Sequence, residues 1–210
     1  MIPKSIQKKL DEGRQYRRMV EVRALDEDMI VEGYATTFDQ PYELWKDGDY
    51  TVMEQVSRTA FDETDMSDVI MQYDHAGRVF ARLSNGTLEL EPDDHGLKVR
   101  ANLGGTEIGR QLYEEIKGGY TDKMSFGFTV SSDETTQSED YEAHTVTILR
   151  TITGIGKLYD VSAVSLPANN ATEISARSYC EGIIAEATEE RRKAEERARK
   201  IRKIKILSEV

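Results

Sequence analysis

The stretch Thr87 to Leu103, TLELEPDDHGLKVRANL, has two arms of alternating apolar and polar residues around Pro92-Asp93-Asp94-His95-Gly96. Alternation with a period of two marks a strand with one buried face, and a Pro/Asp/Gly cluster between two such arms predicts a β-hairpin. Outward from it lie further short extended runs: VEVRAL (20–25), MIVEGYAT (29–36) and DVIMQYDH (68–75) before, and KMSFGFTV (123–130), HTVTILRTI (144–152) and KLYDVSAVSL (157–166) after. Their β-branched content and partial alternation predict strands. One helix interrupts them in TEIGRQLYEEIKGGY (106–120), where Ile108, Leu112 and Ile116 recur every four residues behind a Thr106 cap, and Gly118 and Gly119 form the stop. The acidic run SSDETTQSEDYEAH (131–144) has no apolar period and reads as a mobile loop or hairpin tip. Many strands with few helices predict an α+β fold, a small, mostly antiparallel β-barrel or twisted sheet surrounded by helices, rather than a doubly wound parallel sheet.

At 210 residues the chain is long enough for one good core. Three segments are expected: a basic arm over 1–19, in which Ile6 and Leu10 suggest a short amphipathic helix; a folded domain over 20–178; and a charged helical tail over 179–210, where nine Lys or Arg interleave with seven Glu. No run is apolar enough for a membrane span, and the N-terminus lacks the apolar stretch of a signal peptide. The net charge of -11 argues against a general nucleic-acid binder and for protein partners. A single cysteine, Cys180, and three scattered histidines offer neither an internal disulfide nor the spacing of a zinc site. The glycine pairs at 104–105 and 118–119 do not follow the pattern of a phosphate-binding loop and read as turns.

Ser125 lies in KMSFGFTV. In an extended strand Met124, Phe126, Phe128 and Val130 share one face, and Ser125, Gly127 and Thr129 the other. Gly127 would leave room beside the hydroxyl for a substrate backbone, and the same pattern also fits a serine on the solvent face of a half-buried strand. His75 ends DVIMQYDH, sharing a face with Val69, Met71 and Tyr73 if the strand is regular; it is either a rigidly held base or a satisfied core histidine. His95, in a turn, and His144, after the acidic run, have no comparable setting. A serine hydroxyl needs an imidazole to take its proton and a third group to fix that imidazole. Asp74 adjoins His75 and points to the opposite strand face. Asp160, in the otherwise apolar KLYDVSAVSLP, is the better orienting acid, or else an edge-strand acid facing water.

The order of these segments resembles the tailed-phage prohead proteases, capsid-maturation serine peptidases with a herpesvirus-assemblin-like fold. The landmarks are EGYATTFDQP (32–41), the EQVSRTAFDET turn-helix (54–64), a strand ending in Asp74-His75, ARLSNGTLELEPDDHGLKVRANL (81–103), GRQLYEEIKGGYTDKMSFGF (109–128) and LYDVSAVSLPAN (158–169), spanning Val20 to Arg177. The resemblance implies Ser125 as nucleophile, His75 as general base and Asp160 as third member, where the family more often has Glu; His144 is the fallback, by analogy with the second histidine of herpesvirus proteases. It places the oxyanion donors around Pro167 to Asn170 and implies no cofactor. The implied substrates are the scaffold segment of the major capsid protein and the chain's own flanks, cut inside assembling proheads in the host cytoplasm, with a homodimer possible by the same analogy. A non-enzymatic capsid-assembly module on the same fold is the alternative.

Overall fold

The computed structural model describes residues 12–25, 28–164 and 170–208; the helix expected around Ile6 and Leu10 lies outside them. Ten strands, β1 (Gln15–Ala24), β2 (Ile30–Thr37), β3 (Tyr42–Asp47), β4 (Tyr50–Val56), β5 (Ile70–Tyr73), β6 (Ala76–Arg82), β7 (Leu88–Pro92), β8 (Gly96–Asn102), β9 (Lys123–Asp140) and β10 (Thr145–Val164), accompany helices α1 (Glu107–Lys117) and α2 (Asn170–Ser208). The hairpin expected over 87–103 is β7–β8: Asp93 Oδ1 accepts from the amides of His95 and Gly96 at 2.7 and 3.0 Å, closing the turn. A Cβ on Gly96 would stand 2.0 Å from the Thr36 carbonyl of β2, so the close approach of β8 to β2 requires glycine there.

The fold is α+β and mostly strand, in the order β3-β4-β10-β9-β1-β2-β8-β7, with β5 on β10 and β6 on β5. The barrel does not appear: among the described residues the two end strands β3 and β7 each pair with one neighbour and not with each other. Most pairings are antiparallel, but β10 runs parallel to β4 through Val146–Ile152 and to β5 through Asp160–Ala163. HTVTILRTI and KLYDVSAVSL are thus one strand of 20 residues, bent by register shifts, whose two halves serve different neighbours.

The acidic run is the outer end of a β-hairpin with its tip at 141–144, and not a mobile loop. Ser131 to Asp140 continue β9, with Ser132 to Asp140 each paired to a residue of β10, and only 141–144 turn. Backbone pairing needs no apolar side chains, so an exposed polar strand escapes a search for hydrophobic period. The short β3 and β6, mostly exposed, carry no clear signal for the same reason; β4 has alternate residues buried, but a charged Glu54 stands between Val52 and Val56. Residues 57–64 form successive i→i+3 turns in place of the turn-helix.

Helix α1 follows the reading: Thr106 Oγ1 accepts from the Gly109 amide at 3.0 Å, Leu112 and Ile116 are buried, and Gly119 takes a left-handed φ of 72° at the stop. They join Met71, Met124, Phe126, Phe128, Val161 and Ala163 in the main core. Both expected segment boundaries are crossed by continuous elements, 19/20 by β1 and 178/179 by α2, whose Cys180 is buried and whose Ile183, Ile184 and Ala187 pack with Val146 and Ile148. No helix among the described residues is long and apolar enough to cross a membrane.

Candidate active site

Cross-strand partners share a face. Across β1, β9, β10 and β5 the partners Tyr16, Gly127, Asp160 and Ile70 form one row, and Ser125, Ser162 and Gln72 belong to the next. The opposite face carries Met124, Phe126, Val161 and Ala163. Asp160 reaches the Ser125 face through a bulge: Leu158 pairs with Phe128 and Asp160 with Gly127, so Tyr159 is an extra residue in β10. That one residue reverses the alternation, leaving Leu158 in the core and turning the carboxylate to the serine. β10 is a central strand and Asp160 is 1% exposed, so it is not an edge acid facing water.

His75 is not on a strand face. β5 ends at Tyr73, which pairs with Ala76, and Asp74 and His75 form a two-residue turn with φ of 49° and 58°. Two positive φ values in a two-residue hairpin match the twist of the flanking strands, and Asp and His are among the non-glycine residues that tolerate them best. The Asp74 amide donates to the Ala163 carbonyl at 3.0 Å, tying the turn to β10.

This arrangement brings the three candidates together. His75 Nδ1 lies 2.5 Å from Asp160 Oδ1, and Nε2 lies 2.6 Å from Ser125 Oγ. With a neutral imidazole, Nδ1–H donates to the carboxylate and Nε2 accepts the serine proton. The Ser125 hydroxyl has a second acceptor, the Arg17 carbonyl, at 2.9 Å. When the imidazole is protonated and donates from Nε2, the hydroxyl turns to this carbonyl, so both protonation states keep their hydrogen bonds. His75 and Ser125 are both closed to solvent, at 0% and 1% exposure. His144 sits exposed in the turn beyond the far end of β9 and is not brought to the site; His95 is exposed, against the edge of the Tyr34 ring.

The space expected beside Gly127 is filled. A Cβ there would stand 2.5 Å from Asp160 Oδ2 and 2.8 Å from the Tyr16 ring, so glycine admits the site's own carboxylate and not a substrate. The Tyr16 ring packs on the His75 imidazole with centroids 4.4 Å apart, and burial, with the charge of Asp160 adding, pushes its phenol up to about 12.

Three features had not been read from the sequence: the Tyr16 ring, the Arg17 carbonyl, and Ser162, whose Oγ donates to Asp160 Oδ1 at 3.0 Å. Only Ser162 had a signal there, its i+2 spacing from Asp160. Behind the Arg17 carbonyl is a buried ionic cluster. Arg17 donates to both oxygens of Glu54 at 2.5 and 3.0 Å, Arg150 donates to Glu54 at 2.8 Å, and the Tyr42 hydroxyl also donates to it. Burial pushes the Glu54 carboxyl up, but Arg17 and Arg150 outweigh it and hold the group below its ordinary value. Tyr179 of α2 stacks on Arg150 at 3.8 Å.

A cleft of about 390 Å³ lies between the β5–β6 hairpin and α1, lined by Tyr73, Arg78, Phe80, Ile108 and Leu112 among others. Tyr73 pairs with Ala163, so the cleft opens on the core face and not on the Ser125 face. The segment 165–169, with most of the expected oxyanion loop, lies outside the described residues.

A serine, an imidazole and a carboxylate linked in this order form the arrangement of serine hydrolases that work by acyl transfer. The family model of the caudovirus prohead serine protease matches residues 18–183, and the chain belongs to that family. Comparison with curated proteins and with solved structures gave no match. Membership makes the chain a protease of capsid maturation, with capsid and scaffold proteins as its substrates in proheads assembling within the host.

Proposed function

We propose that the chain is a serine endopeptidase in which Ser125 is the nucleophile, His75 the general base and Asp160 the group that orients and stabilises the imidazole. The observation that carries this reading is the pair of short contacts on the two nitrogens of His75, 2.5 Å to Asp160 and 2.6 Å to Ser125. His75 Nε2 takes the proton as Ser125 Oγ attacks a peptide carbonyl, then delivers it to the leaving amine; water, activated by the same nitrogen, releases the acyl group. The substrates are the scaffold segment of the major capsid protein and the chain's own flanking segments. In co-expression with that capsid protein, the wild-type pair is expected to be shortened to discrete products by intact-mass spectrometry, and Ser125→Ala to leave both full length. Equal trimming with either chain would refute the assignment.

The near-complete burial of Ser125 favours a second reading, a capsid-assembly module in which the three residues only hold the sheet together. Under that reading the wild-type chain and Ser125→Ala alike leave the capsid protein and themselves full length.

A further inference from the structure

We infer that Ser162 is a positioning residue for this reaction, acting on His75 through Asp160. The inference rests on the assignment of Ser125, His75 and Asp160 above and extends it by one side chain. Ser162 follows Asp160 by two residues on β10, so both point to the same face. Its partners across the sheet are Ser125 in β9 and Gln72 in β5, which places it directly beside the nucleophile.

Ser162 is not itself aimed at the imidazole. Its Oγ donates at 3.0 Å to Asp160 Oδ1, the same oxygen that lies 2.5 Å from His75 Nδ1. At 0% exposure the hydroxyl cannot exchange this bond for one to solvent, and a buried hydroxyl without a partner is costly. The carboxylate is therefore held from one side by Ser162 and blocked on the other by the fit of Oδ2 against Gly127. Rotation of Asp160 about its own side-chain bonds would break the Ser162 bond and weaken the hold on Nδ1. A fixed carboxylate keeps the imidazole in the tautomer that accepts from Ser125.

The test uses the full chain and a fluorophosphonate probe, whose saturable reaction at Ser125 separates probe affinity from the rate of the chemical step. Ser162→Ala is expected to slow the chemical step by about tenfold, the size of one hydrogen bond to a charged group, with probe affinity unchanged. Ser162→Thr, which restores a hydroxyl, is expected to recover most of the rate. In an Asp160→Asn background Ser162→Ala should slow labelling no further, because its effect passes through Asp160. A purely structural serine would give neither the Thr recovery nor the loss of effect with Asp160→Asn. If Ser162→Ala does not fold, Ser162→Cys keeps the volume with a weaker donor and reads the same quantity. Labelling of folded Ser162→Ala or Ser162→Cys at the wild-type rate overturns the inference alone. A wild-type chain that is not labelled at Ser125 overturns the assignment beneath it.

Discussion

Gly127→Ala offers a sharp perturbation of the site, because the structure fixes both the sign and the size of its effect. In an open strand position, replacing glycine by alanine stabilises a protein by about 0.4–1 kcal/mol through the unfolded chain. Here the new methyl would stand 2.5 Å from Asp160 Oδ2 and 2.8 Å from Tyr16 Cε1, where ordinary contact begins at 3.4 Å. Tyr16 and Asp160 are at most 1% exposed, so neither can swing into solvent. Relief requires the carboxylate to retreat by about 0.9 Å, which is enough to lose its hold on His75 Nδ1. A misplacement of about 1 Å costs roughly 10²-fold in rate, and overpacking of this kind about 1–3 kcal/mol in stability. Fluorophosphonate labelling rate and thermal unfolding measure the two. A Gly127→Ala chain that is labelled as fast as wild type and unfolds at or above the wild-type temperature would refute the reasoning.

Asp160→Asn should leave the fold intact and slow labelling by on the order of 10⁴-fold, since an amide no longer fixes the tautomer; circular dichroism and labelling kinetics check both. Glu54→Ala leaves Arg17 and Arg150 buried without their shared carboxylate and should cost about 3–5 kcal/mol in a urea titration. Glu54 is held below its ordinary value of 4.5 in the folded chain, so its stabilisation is present above that value and is lost as pH falls through the lower one. The stability gap between wild type and Glu54→Gln is accordingly expected to shrink on acidification. Truncation after Ser178 removes the Tyr179 ring from Arg150 and the buried Cys180, and should lower the unfolding temperature by several degrees. Truncation after Glu190 keeps these contacts and should change it little.

Much of the frame was legible because it obeys simple periods. The 87–103 hairpin, the helix over 107–117 and the alternation of KMSFGFTV are set by local pattern and by burial on one face. The site was legible as a set of residues and not as geometry. Parity along β10 places Asp160 on the face of Leu158, and only the extra Tyr159 turns it toward Ser125; a bulge is fixed by tertiary pairing and leaves no local mark. His75 was read as a strand residue because Asp74-His75 lacks the glycine that usually announces a positive-φ turn. Arg17 and Glu54, 37 positions apart in the chain, carry no local mark of burial; pairing of β1 with β9 and of β4 with β10 buries them together. The exposed half of β9 was missed because its strand character resides in backbone pairing alone.

The central claim is that His75 activates Ser125. It is tested most directly by treating the full chain, alone and co-assembled with its capsid protein, with a fluorophosphonate and mapping the adduct by mass spectrometry. The account predicts a single adduct on Ser125 in wild type, absent in Ser125→Ala and lost in folded His75→Ala. An adduct that survives His75→Ala at the wild-type rate, or a folded wild-type chain left unmodified at Ser125 under both conditions, would contradict it.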